Sequence, residues 1–305
     1  PVLNNSTLGT AKSWIPSGNN AVNTTVMVAS YTSDGFTLTG NINDTNDASQ
    51  NYFSSCWKAN GGTTSTNTTG ATNSTVQANT TSGFSIVTWT GTGGTTTLGH
   101  GLGVAPKFIL AKNNAAADRG VTLNMSTLYV ADPATDNIQF ARNDSVLTDQ
   151  ADRWGDTAPT STVFTVGATS MINGSSAECF AYVFAEVKGF SKFGYYSGTG
   201  NIAGTKVYCG FKPKWILIKG YSSAGENWLS KASGLTGYGL GGQRTRSMGW
   251  NSAYRATNAT IQFESNGFRC ATAVASVNQE NTQYIYMAFA EMPMVGTNGI
   301  IALAT

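Results

Sequence analysis

The sequence predicts an all-β protein: tandem antiparallel β-sandwich repeats of about 105 residues, preceded by a half repeat. Three observations carry that reading. Only 11% of the 305 residues are charged, so Thr, Ser, Asn and the 35 Gly supply most of the polarity. β-branched Thr suits strands, while Gly and Asn suit tight turns. The stretch "APKFILAKN" (105–113) returns as "KPKWILIKG" (212–220), and the neighbours of that stretch return in the same order.

In the repeated stretch, a strand would point Phe108 and Leu110 to one face and Ile109 and Ala111 to the other. Both faces are apolar, which places the strand centrally in a two-layer packing. Pro106 and Pro213 stand at its start, where a missing N–H does no harm. The bracketing lysines, Lys107 with Lys112 and Lys214 with Lys219, are expected to face water at the strand tips.

Upstream, "TGTGG" (90–94) matches "SGTGN" (197–201); downstream, "TVFTVG" (162–167) matches "NGFRCA" (266–271). The closing strand reads "AYVFAEV" (181–187) in one copy and "YMAFAEM" (286–292) in the other. Matching order and spacing predict superimposable sandwiches at 83–190 and 191–293, with Phe108 and Trp215 as equivalent core residues and 294–305 as a tail.

The second half of the same pattern also stands in front. "SDGFTLTG" (33–40) matches "SNGFRCAT" (265–272), and "NYFSSCWKANGG" (51–62) takes the place of the closing strand. Residues 1–60 therefore read as the C-terminal half of a first repeat, and 83–293 is expected to fold without them. Its open strand edges call for a cover, either a segment upstream of Pro1 or a strand from a neighbouring subunit. Residues 61–82 read as a Thr/Ser/Asn-rich linker, with Val76 the one apolar residue larger than Ala.

Little chemistry is written in the chain. A net charge of +2 is too small for a phosphate-neutralising surface, so nucleic acid is not expected as a partner. No apolar run reaches the ~18–20 residues of a membrane span, so no membrane insertion is expected. Cys56, Cys179, Cys209 and Cys270 have no C-x-x-C spacing and read as buried free thiols. His100, the one histidine, reads as a turn residue at a strand start, without partners for nucleophilic catalysis.

Asp132 and Asp136 in "DPATDN" could face a calcium ion, but a polar turn accounts for them. Asp144, Asp149, Asp152 and Asp156 read as a solvated loop, with a calcium or sugar site and then hydrolysis as the alternatives. Glu186 and Glu291 occupy equivalent places and read as fold residues. No catalytic residue, metal or cofactor is expected. The candidate ligand-binding or interface residues are Trp228, Tyr238, Arg244, Trp250 and Tyr254, in a glycine-rich stretch (221–255) whose rings suit sugar faces, subunit contacts or core packing.

"GFSIVTWTGTG", "HGLGVAPKFILAK", "APTSTVFTVG", "AYVFAEVKGFSKFGYYSGTG" and "YIYMAFAEMPMVGTN" together resemble a repeated domain of virion proteins from tailed, especially marine, bacteriophages. Cys56-Trp57-Lys58-Ala59, the linker, Glu186 and Glu291 follow that pattern. The resemblance implies a non-enzymatic structural protein of the virion, assembled in the bacterial cytoplasm: a tail fibre, spike or other appendage that meets a host surface glycan. A capsid decoration or head-fibre protein is the alternative, and a secreted glycan-binding module or polysaccharide depolymerase the alternative of another class. Expected partners are other virion proteins and further copies of the chain. A surface so low in charge opposes self-association little, and a fibre gains from several identical weak sites, so a homotrimer is expected.

Overall fold

Apolar side chains on both faces make "FSIVTWT" and "ECFAYVF" sheet centres rather than edges. The computed structural model describes residues 2–16, 20–40, 42, 44–48, 51–117, 120–124, 136–140, 142–145, 150–233, 247–249, 255–256 and 260–291. The chain divides into two units: residues 1–125, 132–140 and 147–185 form one, and 126–131, 141–146 and 186–305 the other.

The first unit contains β1 (Leu3–Asn4), β2 (Ser13–Trp14), β3 (Val28–Tyr31), β4 (Phe36–Leu38), β5 (Ser65–Asn67), β6 (Ser74–Asn79), β7 (Phe84–Thr90), β8 (Thr96–Gly99), β9 (Phe108–Asn113), β10 (Val121–Asn124) and β11 (Ile138–Gln139). The one-turn helix α1 (Ala151–Trp154), β12 (Val163–Val166), the one-turn helix α2 (Ser170–Asn173) and β13 (Glu178–Phe184) complete it. Its main sheet runs β11-β10-β9-β13-β7-β6-β5, antiparallel throughout, and β12 pairs with β8 in a small second sheet. Alternation sends Val87, Ile109, Ala181 and Val183 to one face, where they pack with Leu98, Phe164 and Val166 of the small sheet and with Trp154 and Ile172.

The second unit contains β14 (Ser191–Ser197), β15 (Thr205–Tyr208), β16 (Pro213–Gly220), β17 (Leu229–Ala232), β18 (Ser247–Gly249), β19 (Arg255–Ala256), β20 (Ile261–Glu264), β21 (Gly267–Cys270), the one-turn helix α3 (Ala275–Asn278) and β22 (Gln283–Ala290). Its sheets run β14-β22-β16-β17-β18-β19 and β15-β21-β20. The order β14-β22-β16-β17-β18 is that of β7-β13-β9-β10-β11 in the first unit.

Register agrees as well. Phe108 stands opposite Phe184, and Trp215 opposite Phe289. Their ring centroids lie 6.2 and 5.9 Å apart. Trp215 is buried, and Trp215→Ala is expected to cost about 3–5 kcal/mol, read as a fall in Tm. An unchanged Tm would place the ring outside the core.

Three expectations need correction. Residues 61–82 are not a spacer: β5 and β6 extend the main sheet, Val76 pairs with Val87, and Val76 is buried. Composition reports side chains, whereas these strands are held by main-chain pairing, which any sequence can supply.

Residues 1–60 are not half a sandwich. Among their described residues β1 pairs with β2 and β3 with β4 in small hairpin-like pairs, and 51–58 is not a strand. The segment lies over the second face of the main sheet: Trp14 meets Phe180 at 6.1 Å and Trp57 meets Phe184 at 6.3 Å. Asn5 Nδ2 donates to the Tyr182 hydroxyl at 3.0 Å, and Gln77 Nε2 donates to Ser6 and Thr7 at 3.0 and 2.8 Å. A face carrying Phe180, Tyr182 and Phe184 needs such a cover to leave water.

Lys107 and Lys214 are exposed as expected, but Lys112 and Lys219 are fully buried. Each ammonium is taken by a carbonyl of the loop that follows its strand: Lys112 Nζ donates to Ala116 O at 2.9 Å, and Lys219 Nζ to Glu226 O.

Candidate functional site

Among the five candidate binding residues, Trp228 is described, and its ring is only 1% exposed. It precedes Leu229, a core residue of the second unit, and offers no face to a sugar. A ring of that size beside a core strand gains more from burial than from any surface role. Tyr238, Arg244, Trp250 and Tyr254 lie outside the described residues.

The acidic candidates are spread among local partners. Asp144 pairs with Arg142 at 2.5 Å and Asp152 with Arg153 at 2.6 Å; Asp132 and Asp149 lie outside the described residues. Asp136 is buried. Glu186 accepts from Lys192 Nζ at 2.8 Å and from the Phe193 N–H at 3.1 Å. Glu291 pairs with Lys212 at 2.6 Å, and that bond holds its carboxyl below the ordinary range. Among the described residues no three His, Cys, Asp or Glu side chains converge as a metal site.

His100 follows β8 rather than opening a strand, and is fully buried. Its Nδ1 accepts the Leu102 N–H at 3.2 Å, which leaves Nε2 to donate to Thr160 O at 3.2 Å. Burial lowers its pKa, with the Thr160 bond opposing, so the ring is a neutral staple between two loops.

Cys179, Cys209 and Cys270 are buried, and burial pushes each thiol up to about 12. Protonated thiols are poor nucleophiles. Cys56 is exposed, contrary to expectation, because the segment around it is not a strand.

The buried lysines differ from these groups in carrying charge into the interior. Burial lowers Lys219 to about 8, with the carboxylates of Glu226 and Asp144 opposing. A lysine lowered on folding binds fewer protons in the native state between about pH 8 and its unfolded value near 10.5. Its contribution to stability therefore rises with pH through that window and is lost as pH falls through 8. The stability of the native chain relative to Lys219→Met is expected to rise by about 3 kcal/mol from pH 8 to 10.5. Parallel denaturant titrations measure this; a pH-independent difference would contradict it.

The most constrained polar sites of both units are ones the sequence reading only half found. In the first unit Thr169 Oγ1 accepts the Met171 N–H and starts α2, which delivers Asn173. The fully buried Asn173 accepts from Trp89 Nε1 at 3.2 Å and from the Thr92 N–H at 3.0 Å, and its amide faces Gly94 O at 2.6 Å and Gly167 O at 3.1 Å. In the second unit Asn278 accepts from the Thr199 N–H at 2.9 Å and donates to Asn201 O and Thr272 O at 2.9 and 2.7 Å.

The Gly-Thr-Gly motif is what these asparagines hold. A Cβ on Gly91 would stand 2.0 Å from Gly174 O, and one on Gly198 2.1 Å from Gln279 O. Gly93 and Gly200 have φ of +72° and +65°, the region that favours glycine. Asn173 and Asn278 are 105 positions apart, as are Phe184 and Phe289, so the signal was present in the sequence.

The chain matches a family model described as a domain of unknown function, DUF7483, over residues 3–293. The chain belongs to the DUF7483 family. The DUF7483 match takes in the N-terminal cover, the strands of 61–82 and both sandwiches together. No curated protein and no solved structure matches the chain.

Proposed function

We propose that this DUF7483 protein is a non-enzymatic structural protein of a tailed-bacteriophage virion. It serves as a fibre, spike or other appendage that meets a host-surface glycan, acting as a homotrimer with other virion proteins as partners. Its two sandwiches are copies of one ancestral unit.

One observation carries this reading: the two units share strand order, register and the asparagine-held turn, yet differ between the matched strands. Between the matched strands the first sequence copy reads "NDSVLTDQADRWGD" (143–156), of which 143–146 belong with the second unit, and the second copy reads the glycine-rich "GLTGYGLGGQ" (234–243). Shared strands joined by divergent sequences suit recognition, because connecting segments can change without disturbing a core. Low charge keeps such a surface indifferent to the salt of the medium.

Purified particles of the encoding phage are the test. Quantitative mass spectrometry is expected to find the chain at a fixed, multiple copy number per particle. Light scattering of the isolated protein is expected to give three times 32.0 kDa. Absence from purified particles would overturn the virion reading, and a monomer at micromolar concentration would overturn the trimer.

A further inference from the structure

The second unit's small sheet carries an outer face that the first unit lacks. Pairing of β15, β21 and β20 sets Lys206, Arg269 and Gln262 in one cross-strand row, and Tyr208, Gly267 and Glu264 in the next. Val207 and Phe268, which alternate with them, belong to the core, so both rows face outward. Tyr208 is 70% exposed.

Tyr208 and Glu264 stand two strand spacings apart, about 10 Å, with Gly267 between them. On the outer face the row thus carries an aromatic residue on β15, bare backbone at Gly267 and a carboxylate-bearing residue on β20, the borders of a shallow slot. Gly267 cannot be enlarged, because a Cβ there would lie 2.0 Å from Val207 O.

The charged groups around the slot are paired with one another. Glu264 Oε1 lies 3.2 Å from Arg269 Nε, Glu264 Oε2 lies 3.7 Å from Lys206 Nζ, and the Arg269 guanidinium donates to Gln262 Oε1. Side chains fixed in advance lose little freedom when a ligand arrives. Two cations face one carboxylate, which leaves the site net positive.

The equivalent place in the first unit is closed. Gly99 and Thr97 stand opposite Val163 and Thr165 there. A Cβ on Gly99 would meet Asn67 Oδ1 at 1.9 Å, and the Thr72 N–H donates to Thr97 O at 3.1 Å. Residues 61–82 thus cover in the first unit what stays open in the second.

We infer that this slot binds one pyranose unit of an acidic polysaccharide. The C–H face of the sugar lies on the Tyr208 ring, its hydroxyls meet Glu264 and Gln262, and its carboxylate or sulfate is drawn to Lys206 and Arg269. The inference rests on the glycan-binding reading above and gives it a site and a ligand class.

Calorimetric titration of the full chain with a uronate hexasaccharide and with a neutral dextran hexasaccharide tests it, alongside melting curves of each variant. The uronate is expected to bind at least about tenfold more tightly than dextran. Tyr208→Ala is expected to weaken uronate binding about tenfold at an unchanged Tm, a loss of one stacking contact. Tyr208→Phe, which keeps the ring, should stay within about twofold of the native chain, while Arg269→Gln weakens the uronate selectively. Equal uronate affinity in Tyr208→Ala and the native chain overturns the slot and leaves glycan binding standing. Preference for dextran overturns the acidic class. Binding of neither sugar overturns the inference and the glycan part of the proposed function, while particle copy number still judges the virion reading.

Discussion

Deleting residues 1–60 is expected to abolish cooperative unfolding of the first unit. The deletion removes Trp14 from Phe180, Trp57 from Phe184 and Asn5 from the Tyr182 hydroxyl, and returns a row of aromatic side chains to water. Re-exposing three or four large apolar side chains at about 1.5–3 kcal/mol each costs on the order of 5–10 kcal/mol. That is comparable to the whole stability of an ordinary domain. The contacts of 1–60 thus lead to an expectation opposite to the one drawn from the sequence alone, that 83–293 would fold without them. Calorimetry and dye binding on 61–305 check it: one lost or broadened transition with exposed apolar surface is the expected result. A first-unit transition at the native temperature would show that the cover is dispensable.

Asn173→Ala is expected to be the most damaging single polar substitution in the first unit. It leaves the Trp89 indole N–H and Gly167 O buried without the partner they have now, and frees the Gly-Thr-Gly turn. Unsatisfied buried groups cost about 1–3 kcal/mol each, so a loss of about 3–6 kcal/mol is expected. Asn173→Asp should be no milder, since a carboxylate keeps the acceptor role but faces Gly94 O and Gly167 O without a proton to give. Thermal melts of both variants, beside Asn278→Ala for the second unit, measure this. A shift within about 1 kcal/mol for Asn173→Ala would mean that water replaces the amide and the turn holds itself.

What the sequence disclosed follows from how local each cause is. The all-β class, the central strands around Phe108 and Trp215, and the glycine turns rest on alternation and on backbone conformation, which a short stretch expresses by itself. The strands of 61–82 were hidden because their partner, β7, decides their state, and Thr/Asn-rich composition looks the same in a strand as in a spacer.

Lys112 and Lys219 looked solvated because a lysine at a strand end usually is. The carbonyls that receive them belong to loops whose course the pattern does not reveal. For Trp228 the glycine-rich stretch left sugar contact, subunit contact and core packing open, and the adjacent β17 draws it into the core. Tyr208 went unnoticed because the alternation in "KVYCGF" alone does not say which residues face out, and pairing with β21 does.

The proposed virion role is tested most directly by a reconstruction of the particle to which that proposal assigns the chain. The expected result is density on an external appendage, in threefold copies, into which each sandwich fits as a body of the β14-β22-β16 type. A complete map of the particle with every external density assigned to other chains would contradict it.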